Sequence, residues 1–516
     1  METAEDLYRL VTRLPMRTPP TTSSSLAMTL KYLDAHFRNT LMSDPGIRAF
    51  AAIASELLED NELVAAVEKL PNAPEETRDQ ARLDFLNENI ARLGGTVGQP
   101  FMERYFARLY RDVNENAAAA FATVVSAARS VAGTRGTVVM VAGTCYNVIW
   151  REAWALKRQG FRTFLVCLEP IADDKIASYS GAFDHVFHGC DNYVTLDIVL
   201  RHLDPDVFHV QCRMWEYVMA RFVLERKRKA KVICEFYDIT GIVSTREAYY
   251  TNWSPQAVDL ELDCEREIFQ KSDGIVHRFP TDLIAEHGKQ YGRVPPQAEI
   301  QQYPLSHLIQ SRPSKSESPD QIRCVYIGNI VPRNDRHPPG FYPNWGSAEA
   351  WEPLLQAGID VSIYYTPHGQ ANIPGFEFIE YLQERYPRFK IEPTLPPSEL
   401  AAGIAGYDFG LIVNDLNIEN SFCRHELYKG GVGTKLFHYL EAGLPVLINS
   451  EYEYASSIIV GNGMGIAVSS KELDTLPQKL READRAGMRR NVARFVAENQ
   501  MEQKIHRLVE LYELAG

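Results

Sequence analysis

The residues best suited to chemistry lie between Gly430 and Asn449. A glycine loop (Gly430, Gly431, Gly433) leads into Thr434-Lys435-Leu436-Phe437-His438-Tyr439-Leu440-Glu441-Ala442-Gly443, followed by Leu444-Pro445-Val446-Leu447-Ile448-Asn449. The pattern predicts a flexible loop, a short helix and a buried strand. Thr434 is placed to cap the helix and Gly443 to end it in a left-handed turn. Pro445 stops the helix from resuming, and Val446-Leu447-Ile448 reads as a strand buried on both faces. Such a helix aims its N-terminus beyond a strand end, where first-turn amides lack helical partners and attract anions. Lys435 adds a mobile positive charge there. The helix dipole disfavours a cation at that end, so Lys435 points to a bound anion such as phosphate; a solubilising surface lysine is the competing reading. At about 100° per residue, Thr434, His438 and Glu441 share one side of the helix. Glu441 can accept hydrogen bonds from ribose or sugar hydroxyls, or simply cover the helix.

These residues need a scaffold, and the chain supplies alternating strands and helices on both sides of a break. Upstream, Val138-Val139-Met140-Val141-Ala142, Phe164-Leu165-Val166-Cys167-Leu168, Val186-Phe187, Val207-Phe208-His209-Val210, Val232-Ile233-Cys234-Glu235 and Gly274-Ile275-Val276-His277 read as strands. Helical spans between them imply right-handed crossovers and a mostly parallel sheet. Ligands of such sheets gather beyond the carboxyl ends of the strands. That rule brings forward Gly143, Thr144, Arg213, Asp238, Thr240 and Gly241. Gly143-Thr144 is a small-residue turn that a sugar could approach; GxGxxG is absent. Asp238 either caps the following turn or accepts a proton from a hydroxyl nucleophile, which requires its carboxylate within about 3 Å of that hydroxyl or of a bridging water. His209 and His277 read as satisfied core or cleft histidines, and no metal-ligand spacing emerges.

Downstream of a linker candidate, Ser311-Arg312-Pro313-Ser314-Lys315-Ser316-Glu317-Ser318-Pro319, a second strand-helix repeat begins at Ile322 and continues through Asp360–Tyr365, Phe389–Ile391, Asp408–Val413, Val446–Ile448 and Gly465–Val468. Arg333 follows a strand here. With Lys435 it could neutralise a diphosphate, the arginine through paired donors and the lysine as a point charge. Two ordinary surface cations are the alternative. Arg424, His425 and Lys429 are candidate gates or contacts beside the glycine loop. Upstream of everything, residues 26–131 have helical spacing, with Ala117-Ala118-Ala119-Ala120-Phe121-Ala122 the clearest helix former. An antiparallel helical module follows; packing, homo-oligomerisation and acceptor recognition are its three open roles.

At 516 residues, with 45% hydrophobic and 23% charged content, the chain holds two or three globular domains. A formal charge of −13 argues against a broad nucleic-acid or anionic-membrane footprint. Eight scattered cysteines without CxxC spacing fit core packing rather than disulfides or metal. No secretory signal or bilayer-length apolar stretch is visible, which makes cytoplasmic the expected location.

The assembled pattern resembles the GT-B glycosyltransferases, especially the retaining group that uses nucleotide sugars. The resemblance spans roughly residues 137–500 and is strongest over Thr434–Val446, with support from Tyr407-Asp408-Phe409-Gly410-Leu411. It implies an α/β protein with two facing Rossmann-like domains plus the N-terminal helical module: residues 1–130 helical, 131–312 on the acceptor side, 320–500 on the donor side, and a C-terminal helix over 501–516. It further implies transfer of a sugar from a nucleoside-diphosphate sugar to a hydroxyl of a carbohydrate or glycoconjugate acceptor, with no tightly bound cofactor or metal. Arg333 and Lys435 become the diphosphate clamp, and Gly431, Gly433, Thr434, His438 and Glu441 become donor contacts. Gly143, Thr144 and Arg213 face the acceptor. Many relatives carry two glutamates with seven residues between them. Here Glu441 keeps the second, Gly433 replaces the first, and His438 stands where some relatives have a further glutamate. A non-catalytic carbohydrate or nucleotide-sugar binding protein, consistent with the missing loop carboxylate, and a sugar-nucleotide epimerase or related enzyme are the alternative readings.

Overall fold

The computed structural model describes residues 39–112, 134–188, 196–310, 321–330, 347–365 and 377–514, with short interruptions inside these ranges. The Ala117–Ala122 helix, the Ser311–Pro319 linker, Arg333 and Cys190 lie outside the described residues.

The first sheet comprises β1 Gly136–Ala142, β2 Phe161–Cys167, β3 His185–Phe187, β4 Val207–Cys212, β5 Lys231–Phe236, β6 Gly274–His277 and β7 Gln297–Glu299, in the order β3-β2-β1-β4-β5-β6-β7. The second comprises β8 Arg323–Ile327, β9 Asp360–Tyr364, β10 Phe389–Glu392, β11 Phe409–Ile412, β12 Val446–Asn449 and β13 Gly465–Val468, in the order β10-β9-β8-β11-β12-β13. Every described strand pair is parallel. The expected pair of parallel α/β sheets is therefore present. β7, a short strand rich in polar residues, is the one that periodicity misses.

Alternation fills both faces of each sheet. In β1, Val139 and Val141 join one apolar cluster while Val138, Met140 and Ala142 join another. The first cluster also takes in Phe50, Ile53, Leu86 and Ile90 from the helices Asp44–Leu58 and Glu75–Leu93, so the described part of the N-terminal module packs with the first domain. The second runs on into Val325, Leu436, Tyr439, Val446 and Ile448 of the second domain. The two sheets therefore share one apolar layer.

The chain end returns to the first domain. The Met501 amide donates to the Pro304 carbonyl at 2.8 Å, and Lys231 Nζ donates to the Tyr512 carbonyl at 2.8 Å. Leu511 packs so closely over Gly274 that a Cβ there would lie 2.9 Å from it. The C-terminal helix His506–Leu514 thus braces the first sheet from the far end of the sequence. The seven described cysteines are buried and free, as core packing requires. Among the described residues no helix is long and apolar enough to cross a membrane.

Candidate active site

In both sheets the strand order reverses beside the first strand of the domain, between β1 and β4 and between β8 and β11. Such switch points open a crevice at the carboxyl ends of the strands. A cavity of about 440 Å³ lies there, between the two domains. The second domain contributes Tyr326, Ile327 and Gly328 from the end of β8, Ile412 and Asn414 at and just beyond the end of β11, Ile448 from β12, and Gly431–Leu436 with His438. The first contributes Tyr237 and Asp238 after β5 and Arg278 and Phe279 after β6.

Lys435 enters this cavity. Its Nζ donates to the Tyr326 hydroxyl at 2.5 Å and sits 4.1 Å from the centre of that ring. Two close approaches hold its helix, Lys435–Glu441, in place. Tyr439 lies against Gly410, where a Cβ would come within 2.2 Å of the ring. Its hydroxyl accepts from the Ile327 amide at 3.0 Å and donates to the Leu411 carbonyl at 3.1 Å, bridging β8 and β11 at the switch point. Gly443 closes the helix at φ 75°, and the Leu444 amide reaches back to the Tyr439 carbonyl at 2.9 Å. Thr434 departs from expectation. It is already helical, at φ −60° and ψ −29°, and its side chain makes no cap hydrogen bond; an N-cap side chain needs an extended backbone to reach back. Thr434, Gly431 and Gly433 line the cavity instead.

Gly328 permits the lysine's position. It has φ +107°, and an added Cβ would lie 2.7 Å from Lys435 Cε. Gly328→Ala combines backbone strain of about 1–3 kcal/mol with displacement of that side chain. It is expected to weaken nucleotide-sugar binding about tenfold, read by calorimetric titration; unchanged affinity would show that the lysine's present position is not needed.

Across the cavity, Asp238 is half-buried. Burial pushes its carboxyl above the usual range, opposed by the charges of Arg278 and then Arg213. Arg278 is buried, donates to the Tyr237 carbonyl and stacks 3.8 Å from the Tyr237 ring centre. It stands one residue beyond β6, where the strand-end rule applies as it does to Asp238. The apolar run that marks β6 ends at His277, so no local pattern singles out Arg278. With Arg333 outside the described residues, Lys435 and Arg278 are the cations that line the described cavity.

Glu441 is placed otherwise than at a ribose. It is fully buried and absent from the cavity lining, and both its oxygens accept from Arg151 at 2.7 Å. Arg151 belongs to the helix Asn147–Arg158 of the first domain. Glu441 also accepts from the Leu305 amide at 3.0 Å, and Arg151 donates to the Tyr303 carbonyl at 3.2 Å. Burial alone would raise the Glu441 carboxyl; Arg151, with help from His438, brings it down to about 2. His438 packs between Arg151, 3.3 Å from Nδ1, and the Gln302 amide, 3.2 Å from Nε2. Burial lowers its pKa, opposed by the Glu441 carboxylate beside it. Arginine sits where no local motif announces it, and periodicity could not pair it with a glutamate so distant in sequence.

Gly143, Thr144 and Arg213 gather at the carboxyl ends of β1 and β4, beside rather than inside the cavity. Thr144 donates to Glu169 at 2.6 Å, and Arg213 lies 5.2 Å from the Tyr146 ring, which in turn meets Tyr237 at 5.0 Å. Glu216 packs directly over Gly143, where any Cβ would collide with its carboxylate. Burial pushes Glu216 up to about 7, against the pull of Arg213. A carboxyl raised on folding stabilises fully below its unfolded value near 4.5, and that contribution is lost as pH rises through 7. The melting temperature of the wild type relative to Glu216→Gln should therefore fall between pH 4.5 and 7. A pH-independent difference between the two would refute the assignment.

Arg424 bridges the domains next to the glycine loop, its Nη1 donating to the Gly241 carbonyl at 2.9 Å. Gly430 abuts Phe279, Pro280 and Leu283 of the first domain, with a Cβ there reaching within 2.5 Å of Leu283. The glycine at the head of the loop is thus needed for domain contact.

Residues 364–507 match the family described as glucosyltransferase 3-like, C-terminal domain. Among solved structures the chain is similar to Alr3699/HepE of Anabaena. The complex of that protein with UDP and glucose gives a TM-score of 0.51 at 10% identity, covering 73% of this chain and 99% of the other. Its complex with UDP-glucose gives 0.50 at 10% identity, covering 73% and 100%. No curated protein matches the sequence. The matched segment makes up most of the second of two facing Rossmann-like domains: the chain has the GT-B architecture, and its second domain is similar to a glycosyltransferase's.

Proposed function

We propose that the chain moves a sugar from a nucleoside-diphosphate sugar to a hydroxyl of a carbohydrate or glycoconjugate acceptor, with retained anomeric configuration and without a metal at the donor. The observation that carries this reading is Lys435, held at the β8/β11 switch point beside the glycine loop and facing a cavity shared by both domains. Lys435 meets the diphosphate, with the 431–434 loop against the nucleotide sugar, and its charge favours the leaving group increasingly as negative charge develops. The acceptor oxygen forms its bond to the anomeric carbon as the bond to the diphosphate oxygen breaks, and the hydroxyl proton passes to that departing oxygen. Asp238, backed by Arg278, orients the acceptor hydroxyl from the opposite wall. Gly143, Thr144 and Arg213 extend the acceptor side, and closure of the domains excludes competing water.

The test is a screen of nucleoside-diphosphate sugars against carbohydrate acceptors with mass detection. UDP-glucose comes first because Alr3699/HepE is seen with it. A new glycoside supports transfer. An isomerised donor would replace the reading with epimerase action, and tight binding of an unchanged donor would replace it with a binding role.

A further inference from the structure

One buried cluster plays no part in the site above. Glu152, His209 and Glu235 bring one ligating atom each within 4.8 Å of one another, and all three side chains are buried. His209 Nε2 lies 3.3 Å from Glu235 and 3.8 Å from Glu152. Both Glu152 oxygens, Glu235 Oε2 and His209 Nε2 lack a partner outside the cluster, and within it the Glu152 carboxyl meets that of Glu235. Gln211 lies directly beside Glu235 in the β4–β5 register and on the same face of the sheet as His209. It is fully buried with neither end of its amide paired. Among the described residues no lysine or arginine forms an ion pair with either glutamate.

Two carboxylates in a dry interior need a compensating positive charge. A single proton shared between Glu152 and Glu235 would supply one hydrogen bond, leave the imidazole Nε2 only the Glu235 carboxyl at 3.3 Å, and leave both ends of the Gln211 amide orphaned. A divalent ion satisfies several oxygens and the nitrogen together. Donors of a tetrahedral site with bonds of about 2.0–2.1 Å stand roughly 3.4 Å apart, close to the two separations from His209. The imidazole is also oriented as a ligand: its Nδ1 is fixed by the Tyr512 hydroxyl at 2.6 Å, the outer contact that sets tautomer and ring direction in metal-bound histidines.

We propose that Glu152, His209 and Glu235, with the Gln211 amide oxygen as fourth donor, bind one zinc-class divalent cation that staples the first domain. The ligands come from the helix Asn147–Arg158, β4 and β5, and Tyr512 adds the C-terminal helix. Arg151, next to Glu152, holds Glu441, so the ion fixes the helix that carries the link between the domains. The site has no part in sugar transfer and does not depend on that reading.

The experiment uses untagged full-length chain, loaded with Zn2+, passed through desalting resin and analysed by plasma mass spectrometry. About one equivalent should remain, and Zn2+ should raise the melting temperature of the chelator-stripped chain by about 5 °C. Glu152→Gln keeps the side-chain shape and should retain at least tenfold less zinc. Should that variant fail to fold, zinc X-ray absorption on the wild type decides: a nitrogen/oxygen shell with one imidazole is expected. Retention below a tenth of an equivalent, an unmoved melting temperature, full retention by folded Glu152→Gln, or a sulfur-containing shell would each overturn the proposal.

Discussion

Lys435→Ala is expected to lower kcat/KM for sugar transfer by about 10²–10³-fold, the usual loss when one preorganised group facing developing transition-state charge is removed. The side chain is half-buried at the cavity wall, and its described contact is with the Tyr326 hydroxyl at 2.5 Å. Its removal therefore leaves the core intact, and the melting temperature should stay close to that of the wild type. Because the ammonium meets the diphosphate before and during bond cleavage, donor affinity and kcat should both fall. Lys435→Arg should recover little. Gly328 leaves no room around Cε, and a planar fork cannot replace a compact ammonium there. Initial rates at subsaturating donor, paired with donor titration, decide the matter: comparable rates and unchanged affinity would remove Lys435 from the mechanism.

Glu441→Gln should be the most destabilising single change at the link between the domains, costing about 3–5 kcal/mol, because it strands the Arg151 guanidinium in a dry interior. The pair is fully buried and bidentate, so solvent screening gives little relief. The double change Arg151→Met with Glu441→Met should recover most of that loss, since it removes both charges and keeps apolar volume. Acid titration offers a second reading. The Glu441 carboxyl is depressed from 4.5 to about 2 on folding, so its stabilisation is fully present above 4.5 and is lost as pH falls toward 2. Glu441→Gln should lack that part of the acid limb. Chemical denaturation at neutral pH and thermal melts from pH 5 to 2 test both expectations. A cost below 1 kcal/mol, or an unchanged acid limb, would mean that the buried pair contributes little to stability.

The sequence by itself determined the scaffold. Apart from the short polar β7, strand after strand from Val138 to Val468 reads correctly, because a parallel sheet covered on both faces demands continuous apolar runs, and such runs are local. The Gly443 turn and the Val446 strand were equally legible, since a left-handed C-cap and a following proline are short-range chemistry. Lys435 could be picked out because its type conflicts with its place on the helix.

Only the tertiary structure decided which side chains meet. Glu441 carries a family-like position, yet the fold turns it onto Arg151, a residue 290 positions away. Arg278 gains its place by ending a strand next to Asp238, and Glu152, His209 and Glu235 come together from one helix and two strands. Periodicity assigns each of these residues to an element and a face. Which charges then share a dry space depends on how elements distant in sequence stack, and no local spacing carries that information.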